Sequence, residues 1–321
     1  MKIGIHIEPH VGYSYDEIVA LTTKAEKEGF HQFSVSDHFF GNPQRTGRRC
    51  YEAWTILALL TPQTRNIRLG TMVTNHSYRN PAYLAKIVSN LDNSSNGRID
   101  FGIGAGWKES EYKAYGYEFP KARTRIHQLR EALEILELMW TETRPPFEGT
   151  YYSIDNAICL PKPVQEPRVP IRIGTMTLKA PMMENTIAKY ADGIDFEGAS
   201  PEKIKQKKER MNNALAKVGR DPGDLSWSTD MTTFVPAKSE EEYEKKVDSL
   251  LRQIPVKHHD HFRRDLQSSL SGTPETMVER IKAYDDAGID QVSICLPWIG
   301  DILNNGKRAI EIIKDSVLPL L

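Results

Sequence analysis

The segment Gly97-Arg-Ile-Asp-Phe-Gly-Ile-Gly-Ala-Gly-Trp-Lys-Glu-Ser-Glu-Tyr112 sets the pattern for the whole chain. Ile99, Phe101 and Ile103 alternate with Asp100, Gly102 and Gly104, the period-two signature of a buried strand. The strand runs into a glycine turn and a helix-forming segment that starts near Lys108. Glycine permits close backbone approach, and a helix start offers N–H groups to an anion. The strand end thus suits a phosphate-bearing ligand lying against the main chain, or a tight turn that only joins strand to helix.

The same unit recurs in both directions. Upstream, a strand over Lys2–Glu8 precedes a helix opened by the capping box Ser14-x-x-Glu17 and closed by Gly29. A strand over His31–Asp37, an Arg-, Gly- and Pro-rich loop from Gly41 to Arg49, and a helix over Glu52–Leu60 follow. Next come a strand over Ile67–Thr74 and a helix begun by Asn80-Pro81, a cap followed by an N1 proline. Downstream, a long helix runs from Lys121 to Thr141, and Phe147–Tyr152 reads as a small hairpin. Strands are expected over Ile171–Thr175, Gly193–Phe196, Leu225–Val235 and Gln291–Leu296. Helices are expected around Met183–Tyr190, Pro201–Val218, Thr273–Tyr284 and Asn305–Val317. The run Lys205–Arg210 reads as a solvated face, and Lys238–Ser271 as a polar insertion. Eight strands with eight helical returns predict the α/β class and a (β/α)8 TIM barrel with insertions after the fourth and seventh strands. No linker divides the chain, so residues 1–321 are expected to form a single domain.

Composition narrows the function. Lys plus Arg number 42 and Asp plus Glu 43, a net charge of −1, which suggests neither a nucleic-acid partner nor a membrane surface. Cys50, Cys159 and Cys295 fit no zinc or disulfide spacing and suit a reducing cytoplasm. The start at Met1 leads straight into a strand, with no leader pattern visible.

If the branched residues pack outward under the helices, the opposite parity points into the barrel: Gly4, His6 and Glu8, then Ser34, Ser36 and His38, then Gly70, Met72 and Thr74, then Gly102, Gly104 and Gly106, and finally Ser293 and Cys295. Such small, polar residues leave room at the C-terminal mouth, where barrels place their active sites. His38 is a candidate for proton transfer, against a capping role for Asp37-His38. Glu8 is the second candidate: a carboxylate in a partly closed cavity can be raised in pKa and serve as a proton donor, against a buried ion pair. His6-x-Glu8-x-His10 has the spacing of metal ligands on a first strand, but no matching set follows at later strand ends, so no metal is expected. His258-His-Asp-His261 reads as solvated loop, Trp140 and Trp227 as core, and Trp107 as a cover for a flat ligand or a packing residue.

At these residues the chain resembles the luciferase-like monooxygenase superfamily, and within it the branch dependent on the deazaflavin coenzyme F420. The resemblance rests on an ordered set: Ile5–Pro9, Ser36–Phe39, Ile67–Thr74 with Asn80-Pro81, Gly102–Trp107 through Glu111-Tyr112, Phe147–Gly149, Pro161–Pro163, Ile171–Gly174, Tyr190–Gly193 and Gly272–Pro274. It implies a barrel with the cofactor at its mouth. Asp37 and His38 would lie beside the ring. Thr71, Met72 and Val73 would form a bulge behind it, with a cis Met72–Val73 peptide. Ala105, Gly106 and Trp107 would border the ribityl and phosphate region, joined by Gly174, Thr175, Met176 and Thr177. Relatives often carry a glycine run after the fifth strand where this chain reads Gly174-Thr-Met-Thr-Leu-Lys179, and Lys179 would compensate by contacting a phosphate. The implied activity is hydride transfer between coenzyme F420 and a small organic substrate, an alcohol, carbonyl or activated alkene. FMN-dependent monooxygenation and non-catalytic (deaza)flavin binding are the alternatives, and relatives imply a homodimer.

Overall fold

A computed structural model of the protein describes residues 1–41, 47–231, 234–297 and 300–321, so most of the loop expected from Gly41 to Arg49 lies outside the described residues. The first half of the chain runs β1 (Lys2–Ile7), α1 (Tyr15–Lys27), β2 (Gln32–Val35), α2 (Ala53–Leu60), β3 (Arg68–Thr71), β4 (Thr74–Asn75), α3 (Pro81–Ser95) and β5 (Ile99–Gly104). After α4 (Glu109–Ala114) and α5 (Ala122–Thr141), the short strands β6 (Phe147–Glu148) and β7 (Ser153–Ile154) pair only with each other, as the expected hairpin. The second half runs β8 (Ile171–Thr175), α6 (Pro181–Tyr190), β9 (Gly193–Phe196), α7 (Pro201–Lys217) and β10 (Ser226–Met231). It ends with α8 (Glu240–Leu251), α9 (His259–Ser268), α10 (Pro274–Asp286), β11 (Gln291–Cys295) and α11 (Ile302–Ile312).

The sheet order β3-β2-β1-β11-β10-β9-β8-β5, closed by a β3–β5 pairing, makes an eight-stranded parallel barrel. This is the predicted (β/α)8 fold, with the extra elements after its fourth and seventh strands. Local signals place the helices where they were read. Ser14 and Glu17 form the reciprocal capping box of α1, and Asn80 caps α3 ahead of Pro81. The parity also holds: Ile3, Ile5, Ile7, Ile99, Phe101 and Ile103 are buried outside the barrel wall among the helices. Inside, a polar chain fills the N-terminal end. Gln291 donates to Gln32, and Gln32 and Arg68 donate to Asp100 at 2.7 and 2.6 Å. These groups are satisfied by one another, which is the condition for burying them at low cost.

Two expectations need correction. Residues 238–271 are not a plain polar insertion. They hold α8 and α9, whose Val247, Leu251, Phe262 and Leu266 bury a small apolar cluster with Val235. His258-His-Asp-His261 leads into α9 rather than a loop. Nor is 205–210 wholly a solvated face. Lys207 is fully buried and donates to the Thr177 and Leu178 carbonyls at 3.0 and 3.2 Å and to the Glu184 carboxylate at 3.0 Å. Arg210 reaches the same carboxylate. A residue on the inward stripe of an amphipathic helix is buried whatever its charge, and Lys207 is kept there by its three partners. Among the described residues no helix is long and apolar enough to cross a membrane. Replacing Lys207 with Met is expected to cost about 3 kcal/mol, the scale of breaking a buried ion pair. Arg210→Ala, nearer solvent, should cost clearly less. Urea unfolding midpoints of the two variants check the order.

Candidate functional site

The site begins with a count. Gly70 faces Asp100 and Thr74 faces Ile103, so the run through β3 and β4 takes one residue more than β5 over the same span. That surplus is a bulge, and its Met72–Val73 peptide is cis, as the resemblance implied. The bulge resets the alternation and turns Val73 inward at the mouth. Room for it comes from glycine. A Cβ on Gly104 or Gly174 would lie 2.9 or 2.7 Å from Val73 Cγ2. At Gly106 the demand is conformational as well: φ is +73°, and a Cβ would lie 2.2 Å from the Tyr112 hydroxyl.

Above the bulge opens a cavity of about 730 Å³, within the range of small-molecule sites. It gathers Glu8, Asp37, His38, Met72, Val73, Ala105, Gly106, Trp107, Gly174, Thr175, Met176 and Thr177. Two of the residues expected at the site, Thr71 and Lys179, stand apart from it. Thr71 is buried, and its hydroxyl donates to the Gly102 carbonyl at 2.8 Å, fastening the bulge to β5. Lys179 is exposed and is not part of the described cavity wall. Trp107 and Met176, 62% and 61% exposed, stand at the rim, whereas Trp140 and Trp227 are core.

His38 lies three residues beyond the end of β2. Its Nδ1 lies 2.9 Å from Oε2 of Glu111. The rings of His10 and Trp107 meet it edge-on at 5.3 and 5.8 Å. Glu111, on α4, is fully buried and accepts from the Tyr78 hydroxyl at 2.7 Å, the Phe39 and Phe40 amides at 2.9 and 3.2 Å, and Lys108 at 3.0 Å. Burial pushes its carboxyl up, but these donors, His38 first, outweigh burial and bring it down to about 2. An ionised carboxylate has no proton to give, so His38 Nδ1 is the donor in this pair and Nε2 is left for the cavity.

Asp37 is spent on structure. It accepts from Thr74, from the Asn75 amide at 3.1 Å and from both terminal nitrogens of Arg79 at 2.7 and 3.0 Å. The capping reading fits Asp37, while His38 is the residue it delivers to the cavity. For Glu8 the expected raised pKa is overturned. Burial does push it up, but the neighbouring imidazoles of His10 and His6, the latter hydrogen-bonded to it at 3.4 Å, hold it well below the ordinary carboxylate range. Ser36 also donates to it. Glu8 is therefore an anion and an acceptor rather than a proton donor. His6 and His10 flank it at 3.4 and 3.1 Å, yet among the described residues no group of three or more His, Cys, Asp or Glu is placed to hold a metal ion.

The sequence reading missed a second set of acids. Asp195, Glu197 and Asp230 line the same cavity from the ends of β9 and β10. Burial raises all three, with the charges of Asp195 and Glu197 adding to the rise at Asp230. The alternation that placed His6 in the lumen places Asp195 and Asp230 there too, once it is applied to the sixth and seventh strands.

With fold and site in view, membership is plain. The chain belongs to the luciferase-like monooxygenase family, whose model matches residues 1–291. It is 28% identical to a 5,10-methylenetetrahydromethanopterin reductase of Archaeoglobus fulgidus over the whole of both chains. It is 27% identical to an F420-dependent glucose-6-phosphate dehydrogenase of Segniliparus rotundus, over 95% of this chain and 93% of that one. The crystal structure of the monooxygenase RslO1 from Streptomyces bottropensis, 23% identical, superposes with a TM-score of 0.82 over 100% of this chain and 99% of that one.

The Glu111 network carries a pH signature. A carboxyl held at about 2, against about 4.3 in the unfolded chain, stabilises the fold fully above the higher value and loses that contribution as pH falls through the lower one. Acid unfolding of wild type and Glu111→Gln should therefore differ: the variant starts less stable at neutral pH and loses less on acidification. Circular dichroism melts across that range read the difference.

Proposed function

We propose that the protein is an F420-dependent oxidoreductase that moves a hydride between the deazaflavin and a small organic substrate, an alcohol, carbonyl or activated alkene. The observation that carries this reading is the convergence of the bulge, His38 and the Ala105–Trp107 turn on one cavity, in a chain whose whole-length relatives include an F420-dependent dehydrogenase.

The residues fit such a group. Val73 and the glycines around it present a smooth wall at the mouth, and Trp107 and Met176 offer exposed apolar surface to a flat ring. For the anionic tail, Thr175 and Thr177 bring hydroxyls and Arg48 a guanidinium at the rim. The first turn of α6, which has no capping side chain, offers main-chain N–H groups. These stand in for the missing glycine run better than Lys179 does.

When bound, the cofactor supplies the hydride-carrying carbon. The chain's own work is to orient, to shield and to manage one proton. Glu111 fixes the tautomer and tilt of His38, so its Nε2 can hold or accept a proton at one place in the cavity. Glu8, anionic, keeps His6 and His10 in position beside it. The floor is unsuited to a phosphorylated sugar, the substrate named for the Segniliparus relative, whose dianion would face Asp195, Glu197 and Asp230.

Titration of the purified apo-protein with F420 and with FMN, followed by tryptophan fluorescence and cofactor absorbance, tests the reading. Saturable F420 binding with FMN much weaker is expected. FMN preference would replace this reading with a monooxygenase, and binding without turnover of any substrate with a carrier. His38→Ala is expected to lose about 100-fold or more in turnover while F420 affinity changes only a few-fold. Equal turnover would remove His38 from the chemistry.

A further inference from the structure

We infer that the cavity floor formed by Asp195, Glu197 and Asp230 is a recognition site for a cationic nitrogen group, an amine or amidine, carried by the substrate. The inference takes the cavity to be the substrate cavity of the oxidoreductase proposed above.

The register brings the three together. Asp195 pairs with Ser228 across β9 and β10, and the Gly198 amide donates to the Asp230 carbonyl at 3.1 Å two residues further on. Side chains two apart on a strand share a face, so the ends of β9 and β10 both turn their acids into the cavity. Asp195 receives the Ser228 hydroxyl at 2.7 Å. Asp230 is 4% exposed, and its Oδ1 has no hydrogen-bond partner among the described residues. An unpartnered carboxyl oxygen at such a depth costs free energy that a bound donor would recover.

The charge environment fits a cation. Among the described residues, the titratable and charged groups facing the cluster are His6 from β1, Glu8 just after it, His38 beyond β2, Cys295 from β11, and Arg172 from β8. Arg172 is the one fixed cation among them, and its guanidinium is taken up by Ser226, Ser228 and the Ile194 carbonyl. Three carboxyls crowded beside a fourth anion, Glu8, cannot all ionise near neutral pH, which agrees with the upward shift of all three. An arriving cation would favour their ionised forms. Binding therefore expels protons, and affinity climbs with pH until the cluster is fully ionised.

Benzamidine is a suitable probe, with neutral benzamide as its control. Calorimetric titration of the full chain should give saturable benzamidine binding, tighter by about tenfold at about pH 8 than at about pH 6. The heat should vary with buffer ionisation enthalpy because protons are released, and benzamide should not bind. Asp230→Asn and Glu197→Gln should each weaken binding tenfold or more. Asparagine keeps the shape of the neutral acid, so the thermal midpoint of Asp230→Asn should hold. Glu197, nearer solvent, gives a second variant with less risk to folding. No benzamidine binding, equal binding of benzamide, or affinity indifferent to both substitutions would overturn the inference. An F420 titration of the same samples separates the two readings: F420 bound without benzamidine removes only the cation site, and benzamidine bound without F420 removes only the cofactor.

Discussion

One buried anion organises the mouth of this barrel. Glu111 has no contact with solvent, and it survives there because donors from three separate parts of the chain converge on it. The loop after β2 gives His38 and two backbone amides, the turn before α3 gives Tyr78, and the start of α4 gives Lys108. A carboxylate left with fewer partners would take up a proton or move to water. The satisfied one does neither, and it locks the imidazole, the aromatic turn and α4 to one point. Around that point Phe39 stacks between Tyr78 and Tyr115, with ring centroids 4.4 and 4.1 Å away. The same wall of the cavity is thus held by charge inside and by ring packing outside.

The opposite wall is governed by space rather than charge. One surplus residue between Gly70 and Thr74 pushes Val73 toward β8, and Gly104 and Gly174 yield because they have nothing to move. The loop that continues from Gly174 is fastened from behind by Lys207, whose ammonium takes two of its carbonyls. The two walls have different tolerances. Charge neutralisation would loosen the first, and added volume would deform the second.

Much of the architecture was legible because it is written in short-range rules. A capping box at Ser14, a cap and proline at Asn80-Pro81, and branched residues on alternate positions of the strands needed no knowledge of distant parts. His38 was legible for the same reason, as a titratable residue at a strand end. What escaped depends on long-range pairing. Glu111 stood out only as part of the family resemblance, and its burial follows from Tyr78 and Lys108 arriving at it. Glu8 was placed correctly, but the direction of its shift was not, because His6 on β1 and His10 in the turn just after it outweigh burial. Lys207 hid inside a charged run. Thr71 belonged to the right segment, but it stands before the bulge on the outward parity of β3, and its hydroxyl goes to β5 instead of the cavity.

The inserted helices α8 and α9 keep an apolar cluster that shares no residue with the main core. They follow β10, and among the described residues none of theirs lines the cavity. A lineage can therefore rewrite this segment, change its length or exchange its surface without repairing the barrel wall afterwards. The barrel with its cavity and the inserted pair can drift at different rates, so this part of the surface can change while the catalytic frame stays fixed.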